Sequence, residues 1–263
     1  MAVVGIGTML LFRPFLATTW LDRFIARLPG EIRSFLGITA LATPAQFLDG
    51  VVFGFFAPVV FMTFGIGVGS RAIAGEQEDG TLASVLATPI GRPDLVVVKV
   101  AALTVGAALI GVGTWVGIMI GGRAADVALD PGNVTLGIVA DLMLGVGMGA
   151  VALLAGVITG RLGLAAWIAT AVALAADGLH GIAATVPQLS GLRYASLLYY
   201  ADGEPATRGI TPAHELALLV VIVALTAVGG LALERQVPPS SPDPARLASD
   251  PSPPSPDPAP HGG

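Results

Sequence analysis

The sequence predicts an all-α polytopic membrane protein with about six transmembrane helices, the first short or truncated, and an amphipathic helix between two of them. Three observations carry this. Apolar types make up 54% of the 263 residues and charged types only 12%, about half the charged share of a soluble domain. Mean hydropathy is +0.81. Five stretches reach the roughly 20 apolar residues that a helix needs to cross about 30 Å of hydrocarbon. This composition excludes an ordinary soluble enzyme, a coiled coil and a disordered chain. A net charge of −5 without a basic run argues against nucleic acid as a partner. The absence of cysteine removes disulfides, thiolate metal sites and a Cys nucleophile. Lys99 is the only lysine among 13 basic residues, and Ala, Gly, Val and Pro are abundant, a bias that suggests a GC-rich bacterial genome.

Taken in order, residues 2–12 are apolar but only eleven long before Arg13-Pro14, reaching about half the bilayer at roughly 1.5 Å per residue. They read as the second half of a spanning helix whose first half lies upstream of Met1; a short interfacial helix is the alternative. Residues 13–50 form a loop of mixed charge in which Leu21, Phe24, Ile25 and Leu28, then Ile32, Phe35 and Leu36, follow helical spacing. That predicts one or two short amphipathic helices at the surface. Full spans are expected at 51–69, 98–120, 136–158, 162–186 and 213–233. Pro58 predicts a kink in the first of these. Gly106, Gly111, Gly113 and Gly117, and later Gly145, Gly147 and Gly149, predict close helix packing. Turns fall at 121–134, around Asp130-Pro131-Gly132-Asn133, and at the tight Gly160-Arg161 hairpin; a longer polar loop covers 187–212. Half of the 20 prolines lie between Pro238 and Pro260, mixed with Ser and Asp. Two regions follow, a transmembrane domain over 1–236 and a disordered Pro/Ser/Asp-rich tail over 237–263.

Charge counting does not orient the chain. If residues 70–94 are cytoplasmic, that side holds six basic residues and the other side seven, so the usual positive-inside bias is absent.

One inter-span segment carries a mechanism. It reads Glu76-Gln-Glu78-Asp-Gly80-Thr81-Leu82-Ala-Ser-Val85-Leu86-Ala-Thr-Pro89-Ile-Gly-Arg92. The acids are expected just before or around a helix start, where the positive helix end favours them. Leu82, Val85 and Leu86 stand at i, i+3 and i+4 and make one apolar face. Pro89 stops the helix, and Arg92-Pro93 leads into the next span. Such a helix suits docking into a partner's groove; lying on lipid is the alternative.

These residues, with Lys99 opening the following span, resemble the signature of the bacterial ABC-type drug and antibiotic exporter permeases. The Gly156 to Gly163 stretch resembles that family's tight turn, and Leu192-Arg-Tyr-Ala-Ser-Leu-Leu-Tyr199-Tyr200 its aromatic segment before the last span. Gln77, Asp79, Ala83 and Leu197 depart from the family pattern. The resemblance implies that the segment is a cytoplasmic coupling helix contacting a separate ABC-type ATP-binding subunit. Glu76, Glu78, Gly80, Thr81, Leu82, Val85, Leu86, Pro89 and Arg92 would be the contact residues. It further implies a homodimer or heterodimer of permease subunits in a bacterial plasma (inner) membrane.

No phosphate-binding loop, serine elbow or zinc motif occurs in the sequence. The chain is therefore expected to be no enzyme and to hold no cofactor or metal, ATP being bound by the partner. Asp141, Asp177 and His180 are candidate intramembrane polar residues. Asp177 and His180 stand at i, i+3 and either pair in a pathway or are hydrated at the membrane boundary; Asp141 carries the same two readings. The expected function is the transmembrane subunit of an ATP-driven exporter. A non-transporting membrane scaffold and a proton-coupled secondary transporter are the alternatives.

Overall fold

The computed structural model describes residues 27, 46, 48–82, 91–124, 126–185 and 212–235. Among them there is no strand, and five helices are long and apolar enough to cross a membrane. These are α1 (Leu48–Glu78), α2 (Arg92–Ala124), α3 (Pro131–Thr159), α4 (Leu162–Thr185) and α5 (Pro212–Arg235). The all-α polytopic reading holds. Residues 2–12, most of the first loop, the 187–211 loop and the tail lie outside the described residues.

The spans run longer than hydropathy alone marks. The first continues past residue 69 to Glu78, so Glu76 and Glu78 occupy its last turn. The 121–134 turn shrinks to the residues between Ala124 and Pro131. Asp130 caps α3, its side chain accepting the Gly132 N–H at 3.0 Å, and Pro131 opens the helix where no donor is needed. The α3–α4 hairpin is as tight as expected: Gly160 takes φ +63°, and its N–H donates to the Gly156 carbonyl at 2.9 Å. At Pro58 the helix changes winding. Leu48–Phe56 is π-wound and Ala57–Ser70 α-wound, so the missing proline donor falls where the hydrogen-bond register shifts anyway.

The fold is organised around α3, with 67% of its apolar window buried against 11% for α4. Its most extensive neighbour is α1, followed by α5, α4 and α2. The α1–α3 contact rests on two four-residue glycine spacings. A Cβ built on Gly65 would stand 1.9 Å from the Gly145 carbonyl oxygen, and one on Gly69 would stand 2.1 Å from that of Gly149. In return, a Cβ on Gly145 would meet the Phe61 carbonyl at 2.6 Å. The shared offset shows that the two helices run parallel, and the row continues to Gly156 against Ala74. Lipid tails are as apolar as leucine, so burial gives helices little reason to associate in a bilayer. Close backbone approach through small residues supplies the van der Waals contact instead.

The glycines of α2 divide. Gly106 accommodates the Phe64 ring and Gly111 the Ile138 methyl, but Gly113 faces nothing within 4 Å. The packing role expected for Gly113 is therefore not seen. Around the seam, Phe61, Leu103, Ile118, Val134, Ile138 and Val146 form the main apolar cluster.

Gly145→Ala is expected to destabilise the chain by roughly 1–3 kcal/mol, the usual range for overpacking. Gly113→Ala, with open space and better helix propensity, should be neutral or stabilising by up to about 1 kcal/mol. Thermal denaturation of the purified variants in detergent checks both. Equal losses at the two positions would show that the glycine seam does not govern packing.

Candidate functional site

The end of the bundle where α1 stops and α2 begins holds the acidic motif. Its local geometry follows from Gly80. With φ +71°, Gly80 occupies the left-handed region that closes a helix at low cost. The Gly80 N–H donates to the Gln77 carbonyl at 3.2 Å, and the Thr81 N–H donates to the Glu76 carbonyl at 2.9 Å. This is the paired closure of a Schellman end. Leu82 is helical again after this turn.

Closing α1 here creates an electrostatic problem. Glu76 and Glu78 sit at a helix C-terminus, where the partial negative charge of the carbonyls disfavours acids. Other helices compensate both. Lys99, in the second turn of α2, donates from Nζ to Glu76 Oε1, and both side chains are roughly three-quarters buried. Glu78 Oε1 accepts the Leu162 N–H at 2.9 Å. An acid at the end of α1 thereby caps the positive N-terminus of α4. Gln77 lies over the hairpin between them, where a Cβ on Gly160 would approach its Oε1 to 3.2 Å.

Arg92 serves another helix end. Its Nη1 donates to the carbonyls of Leu233 and Glu234, each at 3.3 Å, at the C-terminus of α5. A cation there satisfies carbonyls without helical partners and suits the local dipole. Below this polar layer, Ile73, Leu95, Val96, Leu153, Val157 and Leu233 form a second apolar cluster, and Leu82 packs against it.

The structure thus brings Glu76, Glu78, Gly80, Thr81 and Leu82 to one end of the bundle, where Arg92, at the start of α2, bonds the end of α5. Of the expected apolar ridge, Leu82 turns toward the bundle's own core. Val85, Leu86 and Pro89 lie outside the described residues. The partners were not legible: nothing in periodicity links Glu76 to Lys99, Glu78 to Leu162 or Arg92 to Leu233. The weak signals were the lone lysine at a span entrance and the Gly160 hairpin.

The intramembrane candidates are elsewhere. Asp141 is only 2% exposed and stands ten residues beyond Pro131, about 15 Å into α3. Asp177 is exposed on α4, and the His180 side chain lies outside the described residues. Among the described residues no group of three or more His, Cys, Asp or Glu side chains is placed to hold a metal.

A family model described as an ABC-2 family transporter protein matches residues 6–176, a stretch that includes α1 to α3, the acidic motif and the α3–α4 hairpin. No curated protein and no solved structure matches the chain.

Two substitutions test the junction. Glu78→Ala should cost roughly 1 kcal/mol, as for loss of a helix cap, and Glu78→Gln much less, because an acceptor remains. Gly80→Val should cost more, because a β-branched residue at positive φ is strained. The measurement is the midpoint of thermal unfolding for each full-length variant. If Glu78→Ala and Glu78→Gln leave the midpoint equally unchanged, Glu78 does not cap α4.

Proposed function

Because this chain belongs to the ABC-2 transporter family, whose permeases associate with an ATP-binding subunit, we propose that it is the membrane subunit of an ATP-driven exporter. In this reading a separate subunit binds and hydrolyses ATP, and this chain performs no catalysis. Two membrane subunits, identical or related, enclose the pathway. The bilayer is the bacterial inner membrane, with the motif end in the cytoplasm.

The observation that carries the coupling role is the wiring of the motif end. Glu76 holds α2 through Lys99, Glu78 holds α4 through the Leu162 N–H, and Arg92 holds the end of α5. A displacement imposed near Thr81 and Leu82 therefore reaches α1 directly and the start of α4 through one hydrogen bond. The start of α2 follows through the Lys99 ion pair. Rigid transmission of this kind is what ATP-driven closure needs to change the side on which a pathway opens. The segment that begins at Thr81, with Val85, Leu86 and Pro89, is the surface offered to the ATPase.

Val85→Ala combined with Leu86→Ala removes two apolar side chains of the offered surface, each worth about 1.5–3 kcal/mol when fully buried. The double variant should lose co-purification of the ATP-binding subunit by at least tenfold while still inserting in the membrane. Retention of full co-purification and full substrate-stimulated ATP hydrolysis would leave the segment as an interfacial helix and favour a scaffold. For orientation, single cysteines replacing the exposed Asp79 and Asp126 lie at opposite ends of the bundle in an otherwise cysteine-free chain. Only the residue-126 cysteine should react with an impermeant reagent outside intact cells. Reaction at residue 79 alone would invert the topology.

A further inference from the structure

Two stretches of α1 are π-wound, Leu48–Phe56 and Arg71–Gly75. Pro58 stands beside the first and lacks the donor that an α-wound turn would use there. No proline lies between Pro58 and Pro89 to account for the second. π winding is rare, occurs mostly as single turns inside α-helices and is frequent at functional sites.

The second π turn has a geometric reason. Gly69 faces α3, where a Cβ on it would stand 2.1 Å from the Gly149 carbonyl oxygen. Ala74 faces α3 as well, its Cβ 3.3 Å from the place a Cβ on Gly156 would take. The two positions are five residues apart. An α-helix turns about 100° per residue, so five α-wound residues would carry Ala74 about 140° past Gly69 and away from α3. Bonds from i to i+5 close five residues into one turn instead, which returns Ala74 to the seam. Ile73 and Ala74 are both fully buried there. Arg71–Gly75 thus holds one residue more than an α-wound connection in the same place needs.

Both ends of this turn are pinned. Before it, Gly65 and Gly69 are seated on α3. After it, Glu76 pairs with Lys99 of α2, and Glu78 accepts the Leu162 N–H of α4. Every residue after the turn inherits its phase. If the turn rewound as α and passed its surplus residue on, each of them would rotate by about 100° and take its successor's place. Gln77 would take the place of Glu78 at the Leu162 N–H, where its amide oxygen is still an acceptor. Glu76 would leave Lys99 and move over the Gly160 hairpin.

We propose that the Arg71–Gly75 π turn is a conformational joint in α1. It stores a one-residue register shift between the glycine seam and the acidic brace, and its rewinding to α turns the motif end against the rest of the helix. The joint rests on the coupling role proposed above and supplies the element in α1 that has two discrete arrangements for a partner to select between.

The test is a one-residue deletion. Deleting Ala72 removes the surplus residue, so the turn becomes α-wound while Ala74 and the residues after it keep their neighbours. For the purified full chain in lipid nanodiscs, the unfolding midpoint should stay close to that of the wild type, and Glu78→Ala should lower it equally with or without Ala72. Deleting Met62, from the α-wound stretch where no residue is surplus, should lower the midpoint far more or abolish the folded chain. A loss on deleting Ala72 as large as that on deleting Met62 would overturn the proposal. The second readout uses the chain's lack of native cysteine. Gln77 is half-buried. In the complex with the ATP-binding subunit, a cysteine in Gln77→Cys should react with a maleimide roughly tenfold faster once ATP is trapped with vanadate, because thiol reactivity follows exposure. Deleting Ala72 should abolish that acceleration without loss of co-purification. No acceleration in the chain that retains Ala72, or one that survives the deletion, would overturn the joint and leave the exporter reading standing. Failure of the wild-type chain to capture an ATP-binding subunit would overturn the exporter reading and the joint's role with it.

Discussion

The crossing of α1 on α3 sets every other distance in the bundle. Four glycines, Gly65, Gly69, Gly145 and Gly149, bring two backbones so close that any β-carbon would strike a carbonyl oxygen. The seam is parallel, so both helices end at the same level. That puts Gln77 over Gly160 and lets Glu78 reach the N–H of Leu162. A wider α1–α3 separation would leave Glu78 without the α4 terminus and leave that helix start uncapped. The chemistry of the motif end therefore depends on small residues two to four turns away from it.

Acids at a helix C-terminus and a basic side chain at a helix start look misplaced when each helix is considered alone. Considered together, they are complementary. Glu78 answers the positive start of α4, Arg92 answers the negative end of α5, and Lys99 neutralises Glu76. Charges that surface helices would leave to water are here exchanged among helices at the membrane boundary. This arrangement explains how a short polar segment could be both a family signature and a structural brace. The residues that tie the spans together are adjacent to those proposed to face a partner.

The five full spans were legible, because hydrophobic length is a local property that lipid enforces directly. Their ends were not. Glu76 and Glu78 look like the start of something to a local rule, yet α1 carries them as its last turn. The rule fails because tertiary partners offset the dipole. The glycines of α3 were read correctly as packing residues, but their counterparts Gly65 and Gly69 went unrecognised, since a crossing is a property of two helices. Asp141 was placed nearer a span entrance than it is because the hydropathy window opened five residues later than the helix does. Asp130 and Pro131 are the cap that marks the true start.

The central claim is that the motif end is braced from within and receives the ATP-binding subunit at the segment starting with Thr81. Hydrogen–deuterium exchange of the chain with and without that subunit addresses it directly. Backbone amides of residues 79–82 and 160–162 should exchange more slowly in the complex, and those of 126–130 at the opposite end should be unchanged. Protection at 126–130, or none at 79–82, would contradict the account.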